Sequence, residues 1–126
     1  MSIRILICGD RFWQDKATIH KVVDSLPPDT VVIHGAARGA DCIAGDCAME
    51  RGLKVIMFPA KWLQYGKAAG IIRNQQMLDE GHPNRVVFFH PNLSQSRGTK
   101  DMVERARKAG IPTYDGTQWA YSDHPL

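Results

Sequence analysis

The sequence predicts an α/β fold: a three-layer, Rossmann-like sandwich around a five-stranded, mostly parallel sheet. Two observations carry the prediction. Short apolar runs alternate with helical stripes along the whole chain. The runs are continuously apolar rather than alternating, as strands are when helices cover both faces of a sheet. With 126 residues, 44% of them hydrophobic and 23% charged, the chain has enough apolar surface for one core without metal or disulfide staples.

The first strand is Ile3 to Cys8, ending at Gly9. Ile19, Val22, Val23 and Leu26 form the i, i+3, i+4, i+7 stripe of a first helix, stopped by Pro27-Pro28. Thr30 to His34 is the second strand. A second helix runs from Asp41 to about Arg51 with Ile43, Ala44, Cys47 and Ala48 on one face and Gly52 as its stop. Leu53 to Phe58 is the third strand, ended by Pro59. A helix from about Lys67 to Glu80 stops at Gly81 and Pro83, and Arg85 to His90 is the fourth strand. Met102, Val103, Ala106 and Ala109 mark the last helix, stopped by Gly110, and Ile111 to Tyr114 is the fifth strand. Residues 119–126, with Trp119 and Tyr121, carry no period and read as an irregular tail. No linker, repeat or low-complexity stretch interrupts 1–126, so one domain is expected.

Composition excludes several classes. No apolar run approaches the ~18 residues of a membrane span, and Met1-Ser2-Ile3-Arg4 leads straight into a strand, unlike a secretory signal. A cytoplasmic protein with no membrane contact is expected. Cys8, Cys42 and Cys47 form no CxxC pair, and an odd number makes a poor disulfide framework; small core residues are the expectation, and no metal or cofactor is predicted. The net charge of +3 and the absence of a run of like charges make nucleic acid an unlikely partner.

In open parallel sheets ligands bind beyond the carboxyl ends of the strands, where the strand order switches. The residues after strands one, two and four are therefore the candidates. They are Gly9-Asp10-Arg11, His34-Gly35-Ala36-Ala37-Arg38-Gly39-Ala40-Asp41, and His90 through Arg97-Gly98-Thr99. Two of these segments are small-residue turns running into helix N-termini, where free N–H groups and the dipole favour an anion. Arg11, Arg38 and Arg97 add forks that grip phosphate. Neither GxGxxG nor the P-loop pattern is present. On pattern alone the glycines equally make tight turns, Asp41 equally favours the helix dipole, and Thr99 equally caps the last helix. For His34 and His90 a hydrogen-bonded structural role is the expectation. The segment from Trp62 to Asn74 combines aromatics, Gly66, Lys67, Gly70 and an Arg73-Asn74 pair. It reads as a loop and helix start, with Trp62 and Tyr65 either stacking on a ligand or packing on the domain or a partner subunit.

At these residues the chain resembles the YspA-like branch of the SLOG superfamily, Rossmann-like proteins related to the LOG phosphoribohydrolases and to DprA. The matching residues are Gly9-x-Arg11-x-Trp13-x-Asp15, His34 to Asp41, Phe58-Pro59-Ala60-x-Trp62-x-x-Tyr65-Gly66-Lys67-Ala68-Ala69-Gly70, Arg73-Asn74-x-x-Met77 and Arg97-Gly98-Thr99-x-Asp101-Met102. The resemblance implies a nucleotide-related small-molecule ligand near Gly35, Ala36, Arg38, Gly39, Arg97, Gly98 and Thr99, with Arg11, Arg73 and Asn74 nearby. It also implies a homo-oligomer. LOG hydrolases carry a PGGxGTxxE motif with a catalytic glutamate; here that position is Met102, and Gln95-Ser96 replaces the double glycine. The expected function is a sensor or ligand-binding domain for a nucleotide-derived molecule. The alternative is N-glycosidic hydrolysis of nucleoside phosphates, with Asp10, Asp41 or Asp101 standing in as the catalytic carboxylate, Asp41 and Asp101 foremost. A DprA-like DNA-binding module ranks third.

Overall fold

A computed structural model describes residues 2–120. The elements are β1 (Arg4–Gly9), α1 (Lys16–Asp24), β2 (Val31–His34), α2 (Ala40–Glu50), β3 (Lys54–Met57), α3 (Trp62–Tyr65), α4 (Ala69–Gly81), β4 (Arg85–Phe89), α5 (Gly98–Lys108), β5 (Thr113–Asp115) and α6 (Gly116–Ala120). All strand pairings are parallel, in the order β3-β2-β1-β4-β5. The fold is thus the predicted Rossmann-like sandwich. The order reverses between β1 and β4, which puts the switch point at Gly9 and Phe89.

Because successive strand residues point to opposite faces, the core has two halves. Ile5, Ile7, Val32, Val87 and Phe89 pack under α1, α2 and α6. Leu6, Cys8, Ile33, Val86 and Phe88 pack under α4 and α5. Ile5, Leu6 and Ile7 are all fully buried, each contributing roughly 1.5–3 kcal/mol of burial free energy. Arginines tie distant ends together: Arg4 Nε and Nη2 donate to Gly81 O at 2.8 and 2.6 Å, and Arg51 Nη1 donates to Val23 O and Leu26 O.

Several local expectations differ from the structure. Trp62–Tyr65 is a short helix followed by a 3₁₀ turn at Gly66–Ala68, not a loop, and Gly66 takes φ 58°, a left-handed value that glycine adopts without strain. Trp119 is not part of an irregular tail. It lies in α6, is 4% exposed, donates from Nε1 to Ser25 Oγ and meets Tyr114 edge-on. Tyr121 and the rest of 121–126 lie outside the described residues. Ala109 caps α5 and is exposed rather than part of its apolar stripe, because the helix ends at Lys108. Cys8 and Cys47 are buried, but Cys42 is exposed. Five residues on a helix is about 140°, so Cys42 and Cys47 cannot share the inward face. No described helix is long and apolar enough to cross a membrane.

Candidate functional site

Tight packing defines the switch point. A Cβ added at Gly9 would sit 2.3 Å from Phe89 O and 2.7 Å from Ala40 Cβ, so glycine lets β1, β4 and the start of α2 converge. Asp10 N donates to Phe89 O and Asp10 O accepts from Ala40 N, which fixes the turn after β1 against both neighbours.

The turn after β2 folds around a carboxylate supplied by the chain itself. Asp41, in the first turn of α2, is 4% exposed and accepts from Gly35 N at 2.9 Å; the N–H groups of Ala37 and Gly9 also favour its charge. Burial outweighs these donors and the nearby Arg73 guanidinium, and pushes the Asp41 carboxyl from its ordinary 3.8 up to about 6. Ala36 N donates to His34 Nδ1 at 3.0 Å, and burial lowers the His34 pKa, so the imidazole is neutral at pH 7 with its proton on Nε2. His34 Nε2 lies against Gly45, where an added Cβ would come within 2.5 Å of it. The expectation that this turn holds open N–H groups for an anion is therefore corrected: Asp41 and His34 already take those of Gly35 and Ala36. Ala36 carries φ 57°, an unusual value for a residue with a Cβ.

Arg73 and Asn74 on α4 join this turn to α5. Arg73 donates through Nη1 to Gly35 O and Phe58 O and through Nε to Asn74 Oδ1. Asn74, 3% exposed, donates from Nδ2 to Gly98 O at 3.1 Å and to Asp101 Oδ2 at 3.0 Å. Asp101 Oδ2 also pairs with Arg105 Nε at 2.8 Å, and Arg105 Nη1 reaches Gln75 Oε1. The sequence reading does not single out Arg105, although the i, i+4 spacing of Asp101 and Arg105 is legible in it. Thr99 does not cap α5: it is the second residue of that helix and 6% exposed, and Ser96 Oγ takes its N–H instead. Gly98 is exposed, and its N–H and that of Lys100 keep no intrahelical partner. Met102 is 1% exposed in the core under α5, so no carboxylate occupies that position.

The remaining candidates separate by partner. His90 is half-buried and accepts from Asn92 N through Nδ1, a turn-forming role. Trp62, Tyr65 and Lys67 are exposed and stand on the α3–α4 side of the molecule. Arg11, Arg38 and Arg97 are exposed, and among the described residues none has a hydrogen bond or ion pair through its side chain. Every other arginine donates to a protein acceptor. Concavities lie against α2 and over α4. One of about 410 Å³ is lined by Arg11, Phe12, Gly39 and Cys42, between the β1 turn and α2. The other, about 560 Å³, lies over α4 and includes Tyr65, Arg73 and Arg105. Gly35, Ala36, Gly98 and Thr99 line neither. No three His, Cys, Asp or Glu side chains among the described residues are grouped to hold a metal ion.

Comparison with known proteins agrees with this architecture. Residues 3–65, half of the chain, match the model of the YspA, cpYpsA-related SLOG family. The Gene 61 protein of Mycobacterium phage D29 is 39% identical over 118 residues, spanning 86% of this chain and 92% of the relative. In structure, the chain is similar to DNA processing protein A (DprA) from Streptococcus pneumoniae, with a TM-score of 0.57 at 17% identity. That likeness covers 98% of this chain but 62% of the DprA chain, and at this identity it shows the shared fold alone. The β1 and β2 turns, the Asp41-centred packing and Trp62 all fall within the matched segment, and the chain belongs to the YspA, cpYpsA-related SLOG family.

Proposed function

We propose that this domain binds a nucleotide or nucleotide-derived ligand at the carboxyl edge of its sheet, as a sensor or ligand-binding module. One observation carries the reading: Arg11, Arg38 and Arg97, whose side chains have no partner among the described residues, stand on the turns after β1, β2 and β4. An unpaired guanidinium is free to take a phosphate bidentately. The Asp41–Arg73–Asn74 network supports the site from beneath by fixing the β2 turn relative to the α5 N-terminus, where the Gly98 and Lys100 N–H groups favour an anion. Arg73, by contrast, is spent on backbone carbonyls and acts as a support.

Isothermal titration with AMP, ADP and ADP-ribose tests this. Binding is expected to fall about tenfold or more in Arg38→Ala and Arg97→Ala, by loss of a charge-assisted phosphate contact. Arg107→Ala, at the far end of α5, leaves it unchanged. Absence of binding by all three compounds overturns the reading.

A second reading, N-glycosidic hydrolysis, is favoured by the Asp41 carboxyl being pushed up to about 6, near the range useful to a general acid. Against it, Asp41 and Asp101 are both engaged in holding turns. Incubation with nucleoside monophosphates and chromatography for free base decides; release that persists in Asp41→Asn and Asp101→Asn rules these carboxylates out as catalysts.

A further inference from the structure

A groove of about 410 Å³ starts at the turn after β1 and runs along the outer side of α2. Gly39, Cys42, Ile43, Asp46, Cys47 and Glu50 recur along it at helical spacing and form one wall. Lys16 and His20 of α1 form the other. The end at the β1 turn is built rigidly. Gly39 has no Cβ, and one there would collide with Asp10 O and the Arg11 backbone, so α2 starts directly against that turn. Asp10 holds the turn, accepting from Phe12 N through Oδ1 and from Trp13 N through its carbonyl. Trp13 is pinned as well, donating from Nε1 to Asp15 O and meeting Phe89 edge-on with centroids 5.6 Å apart. Phe12, which lines the groove, is nevertheless 75% exposed. A fixed turn that holds a large aromatic ring out in solvent presents a face for stacking.

Charge along the groove has a direction. Arg11, whose side chain has no partner among the described residues, stands at the end beside Gly39. Asp46 and Glu50 stand further along α2, about 9 and 15 Å from its start, and neither forms an ion pair among the described residues. Lys16 offsets one of these charges from the α1 wall, and this half of the groove stays acidic. We propose that the groove is the base subsite of the nucleotide-like ligand and takes a purine carrying an exocyclic amine. The subsite rests on the nucleotide reading above and adds which base is taken and which residues choose it. The phosphate lies at Arg11 and Arg38, the purine stacks on Phe12, and the amine donates to Asp46. The reverse orientation sets the phosphate against two carboxylates. The distance of about 9 Å along α2 to Asp46 is comparable with the span from the phosphate to the far edge of the base in an extended nucleoside monophosphate. An ionised carboxylate accepts and does not donate, so Asp46 favours a base edge that offers an N–H there.

Isothermal titration of the full chain with AMP and with purine riboside 5′-monophosphate, which lacks the amine, is the test. Wild type is expected to bind AMP about tenfold tighter, the size of one hydrogen bond to a charged group. Phe12→Ala is expected to weaken AMP binding about tenfold by loss of the stack, and Phe12→Trp to retain it. Asp46→Ala is expected to abolish the preference for AMP and to bind purine riboside 5′-monophosphate as wild type does. Both side chains are exposed, so unchanged far-ultraviolet circular dichroism spectra are expected. A Phe12→Ala variant that binds AMP as tightly as wild type, or a preference for AMP that survives Asp46→Ala, overturns the base subsite. If Arg38→Ala weakens AMP in that case, the nucleotide reading stands without it. Absence of binding by AMP, ADP and ADP-ribose overturns the nucleotide reading and the subsite with it.

Discussion

Asp41 sits where burial and hydrogen bonding oppose each other. Its carboxyl holds the β2 turn through Gly35 N, yet burial raises its pKa to about 6. The folded chain therefore binds this proton more tightly than the unfolded chain, whose carboxyl titrates near 3.8. The stability tied to Asp41 is fully present below about pH 4 and is lost as pH rises through about 6. The full swing is about 3 kcal/mol, from two pKa units at 1.36 kcal/mol each. Urea unfolding of wild type and Asp41→Asn checks it: wild-type stability relative to the variant should fall by that amount between about pH 4 and about pH 7. A difference that stays flat across this range would mean the group titrates as an exposed aspartate does. What the sequence makes legible at this scale is the position of Asp41, after a small-residue turn at a helix start. It does not show that the carboxylate folds back into that turn, because the contact depends on the backbone path through Ala36 and Gly39, with φ 57° and 73°.

Among the elements, α1 shows how local chemistry sets a boundary. Asp15 is its N-cap, accepting from Thr18 N at 3.2 Å and from the Thr18 hydroxyl. The Thr18 hydroxyl, then its N–H, hold the Asp15 pKa below its ordinary 3.8, so the cap's stabilisation is fully present above about 3.8 and is lost only as pH falls through the lower folded-state value. Asp15→Ala is expected to cost about 1 kcal/mol at neutral pH and nearly nothing when thermal melts are repeated in acid. This is the opposite pH dependence to that of Asp41, and both can be followed in the same buffers. Strands and long helices are legible because their apolar runs and 3.6-residue stripes reflect burial directly: Ile19, Val22 and Val23 are all fully buried. Short elements are not. α3 buries no side chain, and α6 has only five residues, so neither leaves a stripe to read. The candidate site divides in the same way. Its turns are visible as glycines and arginines after strands, but which arginines stay free is decided by carbonyls far away in sequence, such as Phe58 O and Gly35 O for Arg73.

For the whole molecule, the sheet has helices on both faces, and the last described element completes one of them. α6 follows β5 at the edge of the sheet and packs beside α1, bringing Trp119 to Ser25, 94 residues away in sequence, with Nε1 donating to Ser25 Oγ at 3.1 Å. Trp119 also joins the core cluster containing Ile19, Val22, Val23 and Phe89, and its ring stands edge-on to Tyr114 with centroids 5.1 Å apart. Truncation would open a cavity on the α1 side of the sheet and remove an aromatic pair at the same place. Trp119→Ala is therefore expected to lower unfolding stability by roughly 3–5 kcal/mol, a large share of the total for a domain of this size. Denaturant unfolding followed by circular dichroism reads it, with Trp119→Phe as the comparison that keeps most of the ring volume and loses the bond to Ser25. If α6 were only laid against the surface, both variants would unfold at the wild-type midpoint. If it closes the core, Trp119→Ala shifts the midpoint strongly and Trp119→Phe by about 1–2 kcal/mol, the size of one lost hydrogen bond with some repacking.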